Sequence, residues 1–255
     1  MRLQSAPNFR DLGGIVCAHG RTLKQGLLFR SEALTKLSIE DFARLQSCGL
    51  HTVIDLRSAG ECARFPTPWP EHFRPAIKNW DVNVDAQAES QEVFATLRAD
   101  PTATGAREQI KSTYRLFPAA FAPHLRSLFE HLLDQETRPL LFHCAVGKDR
   151  TGFLAAIILL ALGAERDAVL DDYMRTHGNV DTAPLAKLTT RILERQLGFV
   201  PAPEVVDILI GVHVDNLAAA IAKIDTDFGS VPAYLAAAGV TAEIQHALQQ
   251  RLLST

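Results

Sequence analysis

The first 145 residues alternate short apolar runs with longer stretches whose apolar positions fall three and four apart. Residues 27–30, 51–56, about 72–77 and 140–143 are the short runs, and their length and composition predict strands. Ser38 is placed to cap a helix that runs to about Cys48, with Phe42 and Leu45 at helical spacing before Gly49 stops it. Pro66-Thr67-Pro68-Trp69-Pro70 reads as a rigid loop. From about residue 107 to 134 the pattern is helical, but Pro118 and Pro123 predict a break or kink. Strands alternating with helices predict an α/β fold, a mainly parallel sheet flanked by helices on both faces.

After Gly163 the pattern is almost entirely helical. Leu185, Leu188, Ile192 and Leu197 read as one apolar face and Leu217, Ile221, Ile224 and Phe228 as another, with Ser230 and Thr241 as caps of two last helices. Amphipathic helices ordinarily bury such a stripe in the core, so both stripes are expected to pack on the sheet. No internal repeat or linker interrupts the chain, and 255 residues with 47% hydrophobic content suit one domain, 1–255.

Composition narrows the function. A formal charge of −3 gives no global attraction to nucleic acid or an anionic membrane, so an anionic substrate must be drawn by a local basic site. The N-terminus has no secretory apolar core, and the longest apolar run, 153–162, falls well short of the roughly 20 residues that span a bilayer and reads as a core helix. Cysteines at 17, 48, 62 and 144 show neither C-x-x-C spacing nor disulfide density, which suits a reduced, cytoplasmic setting, with export lacking a recognisable signal left open. Burial as small hydrophobes is the expected state of Cys48 and Cys62, against a disulfide with Cys144 under oxidation. The nine histidines show no H-E-x-x-H or clustered spacing, so neither metal nor cofactor is expected.

The chemistry is concentrated in His143-Cys144-Ala145-Val146-Gly147-Lys148-Asp149-Arg150-Thr151-Gly152. The C-x-x-G-x-x-R core alone would arise by chance in about one or two chains in a hundred of this cysteine content. Its flanks make it specific: a strand-like run precedes it and a helix from Arg150 to Leu162 follows, so the loop joins a strand end to a helix N-terminus, where anions bind. Cys144 is the candidate nucleophile, needing its thiolate stabilised at neutral pH. Amides from Ala145 through Arg150, including those of Val146, Gly147, Lys148 and Asp149, are expected to nest the phosphoryl oxygens, Gly147 supplying backbone freedom. Arg150 clamps the phosphate bidentately, Thr151 donates to the departing thiolate, and His143 orients the loop. The reaction implied is phosphate-ester hydrolysis through a cysteinyl-phosphate.

H-C-x-x-G-K-D-R-T-G resembles the loop of the protein tyrosine phosphatase superfamily, in particular its atypical bacterial tyrosine and lipid phosphatases. Asn8-Phe9-Arg10-Asp11-Leu12-Gly13-Gly14 resembles that family's N-terminal motif, and Leu28-Phe29-Arg30-Ser31, Val53-Ile54-Asp55-Leu56-Arg57-Ser58 and Ile224-Asp225-Thr226-Asp227-Phe228-Gly229-Ser230 with Tyr234-Leu235 extend the likeness to nearly the whole chain. The resemblance implies that Arg10 and Asp11 lie near the substrate, Arg57 being better read as a structural ion pair. It also implies that Lys148 meets a second phosphate or inositol substituent at the loop mouth, giving activity on phosphoinositides as well as phosphotyrosine. Helices inserted at 180–212 are the candidate lid. Many relatives bring a general acid in a W-P-D context, which this chain lacks. Asp81, in Trp80-Asp81-Val82-Asn83-Val84-Asp85, is the nearest analogue, Asp149 inside the loop its rival and Asp85 an outsider. Expected partners are a phosphorylated protein or phosphoinositide, without nucleic acid or a transmembrane segment. Two other classes compete: a catalytically weak phospho-binding or scaffold protein, and a rhodanese-like sulfurtransferase carrying persulfide.

Overall fold

The computed structural model describes residues 1–82, 94–134 and 139–255. Among these, five strands, β1 (Arg10–Asp11), β2 (Leu28–Ser31), β3 (Thr52–Asp55), β4 (Ala76–Asn79) and β5 (Leu140–His143), form one sheet in the order β1-β2-β5-β3-β4. Only the β1–β2 pair is antiparallel. The expected α/β architecture is therefore present, with β5 at the centre. Because successive strand residues face opposite sides, Leu28, Ile54, Leu140 and Phe142 enter one apolar cluster while Phe29, Val53 and Leu141 enter another. β4, at the edge, is exposed throughout. Its strand starts at Ala76 rather than near His72, after the Phe73 amide closes a turn onto the Pro70 carbonyl.

The helices are α1 (Ile39–Ser47), α2 (Ala59–Arg64), α3 (Ala95–Ala99), α4 (Ala103–Leu133), α5 (Asp149–Ala161), α6 (Arg166–Met174), α7 (Thr182–Leu197), α8 (Pro203–Ile210), α9 (Val214–Phe228), α10 (Val231–Ala237) and α11 (Ala242–Leu252). Local signals set several of their starts. The side chains of Ser38, Ser230 and Thr241 accept amides of the first turns of α1, α10 and α11, as their sequence positions predict. α5, read as a core helix, is buried along almost its whole length.

Two expectations are revised: no break occurs at the two α4 prolines, and one apolar stripe packs elsewhere than on the sheet. α4 runs through Pro118 and Pro123 instead of stopping there. It buries Tyr114, Phe117, Phe121, Leu125, Leu128, Phe129 and Leu132. At about 1.5–3 kcal/mol per buried side chain, these outweigh about 3 kcal/mol per interior proline. The apolar stripe of α7 does not lie on the sheet: Leu193 is its buried residue and joins Leu97, Val205, Val206, Ile208 and Ile210 in a separate cluster. Leu188 and Ile192 face solvent. On α9, Leu217, Ile221 and Ile224 are buried as expected, whereas Phe228 is partly exposed.

If α4 tolerates its prolines rather than needing them, Pro123→Ala at this exposed position raises the unfolding free energy by about 1–2 kcal/mol, the helix gain less the lost rigidity of the unfolded chain. Urea denaturation checks this, and a fall in stability would show that the proline shapes the helix for its packing.

Candidate active site

The loop begins where β5 ends. Cys144 is buried and its Sγ accepts the Gly147 N–H at 3.3 Å, a main-chain donor aimed at the sulfur. Gly147 has φ +72°, and a Cβ there would stand 2.5 Å from the Ser31 carbonyl oxygen, so both conformation and space require glycine. Lys148 occupies the N-cap of α5 without a side-chain cap, leaving first-turn amides of that helix for an anion.

The loop is held from outside. Asn8 Nδ2 donates to the carbonyls of Val146 (3.2 Å) and Gly147 (3.1 Å), and Arg30 donates to the Gly147 carbonyl at 2.9 Å. Asp172 then joins two cations: one carboxylate oxygen accepts Arg10 Nε at 2.8 Å and the other accepts Arg30. Arg10 also donates to Asn8 Oδ1 (2.6 Å), to the Asp172 carbonyl (2.8 Å) and to Thr176 (3.1 Å). Burial and the neighbouring Arg30 charge lower the Arg10 guanidinium to about 10. Burial alone would raise Asp172, but the two arginines hold it below the usual carboxylate range. Arg10 thus sits behind the loop. Asp11 accepts the amides of Gly13 (2.8 Å) and Gly26 (2.6 Å), which ties two turns together.

Inside, Cys144, Ala145, Val146, Asp149 and Arg150 line a cavity of about 160 Å³ with Ile110, Thr113 and Phe117 of α4. The Arg150 guanidinium meets Glu61 through two parallel contacts of 2.7 and 2.9 Å. Glu61 also completes a capping box with Ser58 at the start of α2. Burial opposes the charge on Glu61, yet Arg150 keeps its carboxyl below the ordinary value. Asp149 Oδ1 accepts the Tyr114 hydroxyl at 2.7 Å, and Tyr114 lies 2.6 Å from the Tyr173 hydroxyl. Burial, then the Asp149 charge, raises both phenols, so they stay protonated as donors.

The model of the tyrosine phosphatase family matches residues 1–254. The chain belongs to the tyrosine phosphatase family. The triple specificity protein phosphatase PtpB of Mycobacterium tuberculosis is 32% identical over 265 residues, spanning 94% of each chain. The putative tyrosine-protein phosphatase H16_A0669 of Cupriavidus necator is 34% identical over 234 residues, 89% of this chain and 80% of that one. The crystal structure of P. aeruginosa TpbA shares 17% identity at a TM-score of 0.32, over 79% of this chain and 90% of the other. The protein is accordingly a phosphoric monoester hydrolase.

Other candidates of the tyrosine phosphatase separate by placement. Lys148 does not stand at the loop mouth: its buried ammonium donates to the carbonyls of Leu209 (3.2 Å), Ile210 (2.9 Å) and Gly211 (3.0 Å), where the C-terminal end of the α8 dipole attracts a cation. Asp81 is exposed, has φ +48°, and accepts the Ala59 amide at 3.0 Å; it does not line the Cys144 cavity. Asp85 lies outside the described residues. Thr151 has a fully buried hydroxyl with no hydrogen-bond partner among the described residues. Burial lowers His143 below the usual imidazole value, against the Asp55 charge, and its Nδ1 donates to the Cys144 carbonyl at 3.2 Å. Arg57 pairs with Asp55 at 2.6 Å. All four cysteines are free, and burial pushes the thiols of Cys17 and Cys62 up to about 11 and that of Cys48 up as well.

Asn8, Arg30, Glu61, Tyr114 and Asp172 carry parts of the site that sequence reasoning did not assign. Two left a signal: an arginine within the apolar Leu28-Phe29-Arg30-Ser31 run demands a buried partner, and Ser58-x-x-Glu61 is a capping-box spacing. Asp172→Asn leaves two buried arginines without their shared carboxylate, and is expected to cost about 3–5 kcal/mol at neutral pH. Because the folded carboxyl is held low, its contribution is present above the unfolded value and lost as the pH falls through the folded one. The deficit of the variant in urea melts should therefore shrink below about pH 4, and a deficit that stays constant into acid would contradict this account.

Proposed function

We propose that this chain hydrolyses phosphate monoesters through a cysteinyl-phosphate on Cys144, acting on phosphotyrosine and on phosphoinositides. The observation that carries the reading is the buried Cys144 sulfur facing a main-chain N–H, in one cavity with Arg150 and Asp149. The thiolate attacks phosphorus as the ester P–O bond breaks, while protonated Asp149 gives its proton to the leaving oxygen. Water then attacks the phosphocysteine, Asp149 takes the water proton, and the P–S bond breaks to return the thiolate. Arg150, oriented by Glu61, and the loop amides hold the charge on the equatorial oxygens. Thr151 supplies a hydroxyl for the departing sulfur, which suits a buried hydroxyl without another partner among the described residues.

Asp149 is favoured over Asp81 as the acid because it lines the cavity and the Tyr114 hydroxyl fixes one of its oxygens, leaving the other for the substrate. The phosphoinositide part rests on the loop's resemblance to the bacterial tyrosine and lipid phosphatases and not on an ammonium at the loop mouth, and the name of the Mycobacterium tuberculosis relative, a triple specificity protein phosphatase, supports a range wider than one substrate class. Lys148 instead fastens the end of α8, and this tether beside the loop is what supports a covering role for the α7–α8 hairpin within 180–212.

The test is phosphate release from a phosphotyrosine peptide and from a phosphatidylinositol monophosphate. Cys144→Ser should fall to background on both while still binding the peptide, Asp149→Asn should lose roughly 10²–10⁴-fold, and Asp81→Asn should stay within a few-fold of wild type. Turnover surviving in Cys144→Ser would reject the mechanism, and full activity in Asp149→Asn would reject the acid.

A further inference from the structure

The face of α7 turned away from Leu193 is built unlike an ordinary solvated surface. At 3.6 residues per turn, Lys187, Arg191, Arg195, Leu188 and Ile192 fall within an arc of about 140° opposite the buried stripe. All five are exposed, Leu188 at 55% and Ile192 at 37%. The cations form one side of the arc and the two aliphatic residues the other. Gly198 then ends the helix in the left-handed conformation, and Phe199 and Val200 follow at the hairpin tip, 46% and 63% exposed. In a chain of net charge −3, residues 182–202 carry three cations and a single carboxylate, Glu194. Helical geometry sets Glu194 beside Lys187, on the border away from Leu188.

We propose that this face docks the protein on an anionic lipid surface. Leu188, Ile192, Phe199 and Val200 enter the acyl boundary, while the lysine and arginine stems run along it and bring their charged heads to the lipid phosphates. A second copy of the chain fits poorly, because face-to-face pairing sets three cations against three with one carboxylate apiece to offset them. The proposal is independent of substrate range: it concerns where the enzyme sits, and the outer face of α7 contributes no group to the Cys144 cavity.

Flotation of the full-length protein with phosphatidylcholine vesicles and with mixed phosphatidylcholine–phosphatidylserine vesicles tests it. Binding is expected to the mixed vesicles only and to weaken with salt. The triple variant Lys187→Gln, Arg191→Gln, Arg195→Gln should bind on the order of 100-fold more weakly. Phe199→Ser with Val200→Ser should lose roughly tenfold or more, both variants keeping the wild-type thermal midpoint. Failure to bind mixed vesicles, equal binding to neutral ones, or indifference to the loss of the cations would overturn the proposal. So would a concentration-dependent dimer that the Phe199 and Val200 substitutions dissolve. Hydrolysis of a soluble phosphotyrosine peptide reads the Cys144 site without lipid, so failure of docking and failure of the phosphatase mechanism are told apart.

Discussion

The site depends on two carbonyls being held outward. A loop that cradles an anion turns its amides inward, which sends its carbonyls the other way, into protein, where each needs a donor. Asn8 holds the carbonyls of Val146 and Gly147, and Arg30 holds the second of these again. Arg30 is fully buried and is tolerated because it shares the Asp172 carboxylate with Arg10, one negative charge set between two positive ones. Residues 8, 10, 30, 147 and 172 thus form one polar unit beneath the loop, and α5 rises from it with its first turn open to an anion.

This unit explains why a site for a dianion places so many cations close together without exposing them. Arg10 and Arg30 face Asp172, Arg150 faces Glu61, and Lys148 caps the carbonyl end of α8. Each cation has a partner that fixes its direction, so the positive field is set before substrate arrives and little reorganisation accompanies the reaction. Arg150 differs from the others in lining the cavity. Glu61 joins the local stability of α2, through its capping box, to the aim of that guanidinium.

Much of this was legible in the sequence where the signal is local. The strand 140–143, the loop, the start of α5 and the caps at Ser38, Ser230 and Thr241 each follow from a few adjacent residues whose chemistry permits one arrangement. β1 is two residues long, too short for any periodicity to show. Partner choice across the fold was not legible. The pairing of Arg150 with Glu61 and of Arg10 with Asp172 joins positions 89 and 162 residues apart. Lys148 shows the same limit: its place in the motif suggests a ligand contact, but the carbonyl end of a helix 61 to 63 residues later claims its ammonium. Pro118 and Pro123 show the converse, a clear local rule overridden by the aromatic and aliphatic packing of α4.

The most direct measurement is the covalent state of Cys144 during turnover. Acid quenching of the wild-type enzyme at steady state with a phosphotyrosine peptide, followed by peptide mass spectrometry, should find one phosphate on the Cys144 peptide and none after the substrate is exhausted. Sustained turnover with Cys144 unmodified, or with the phosphate on another residue, would contradict a reaction that passes through this sulfur.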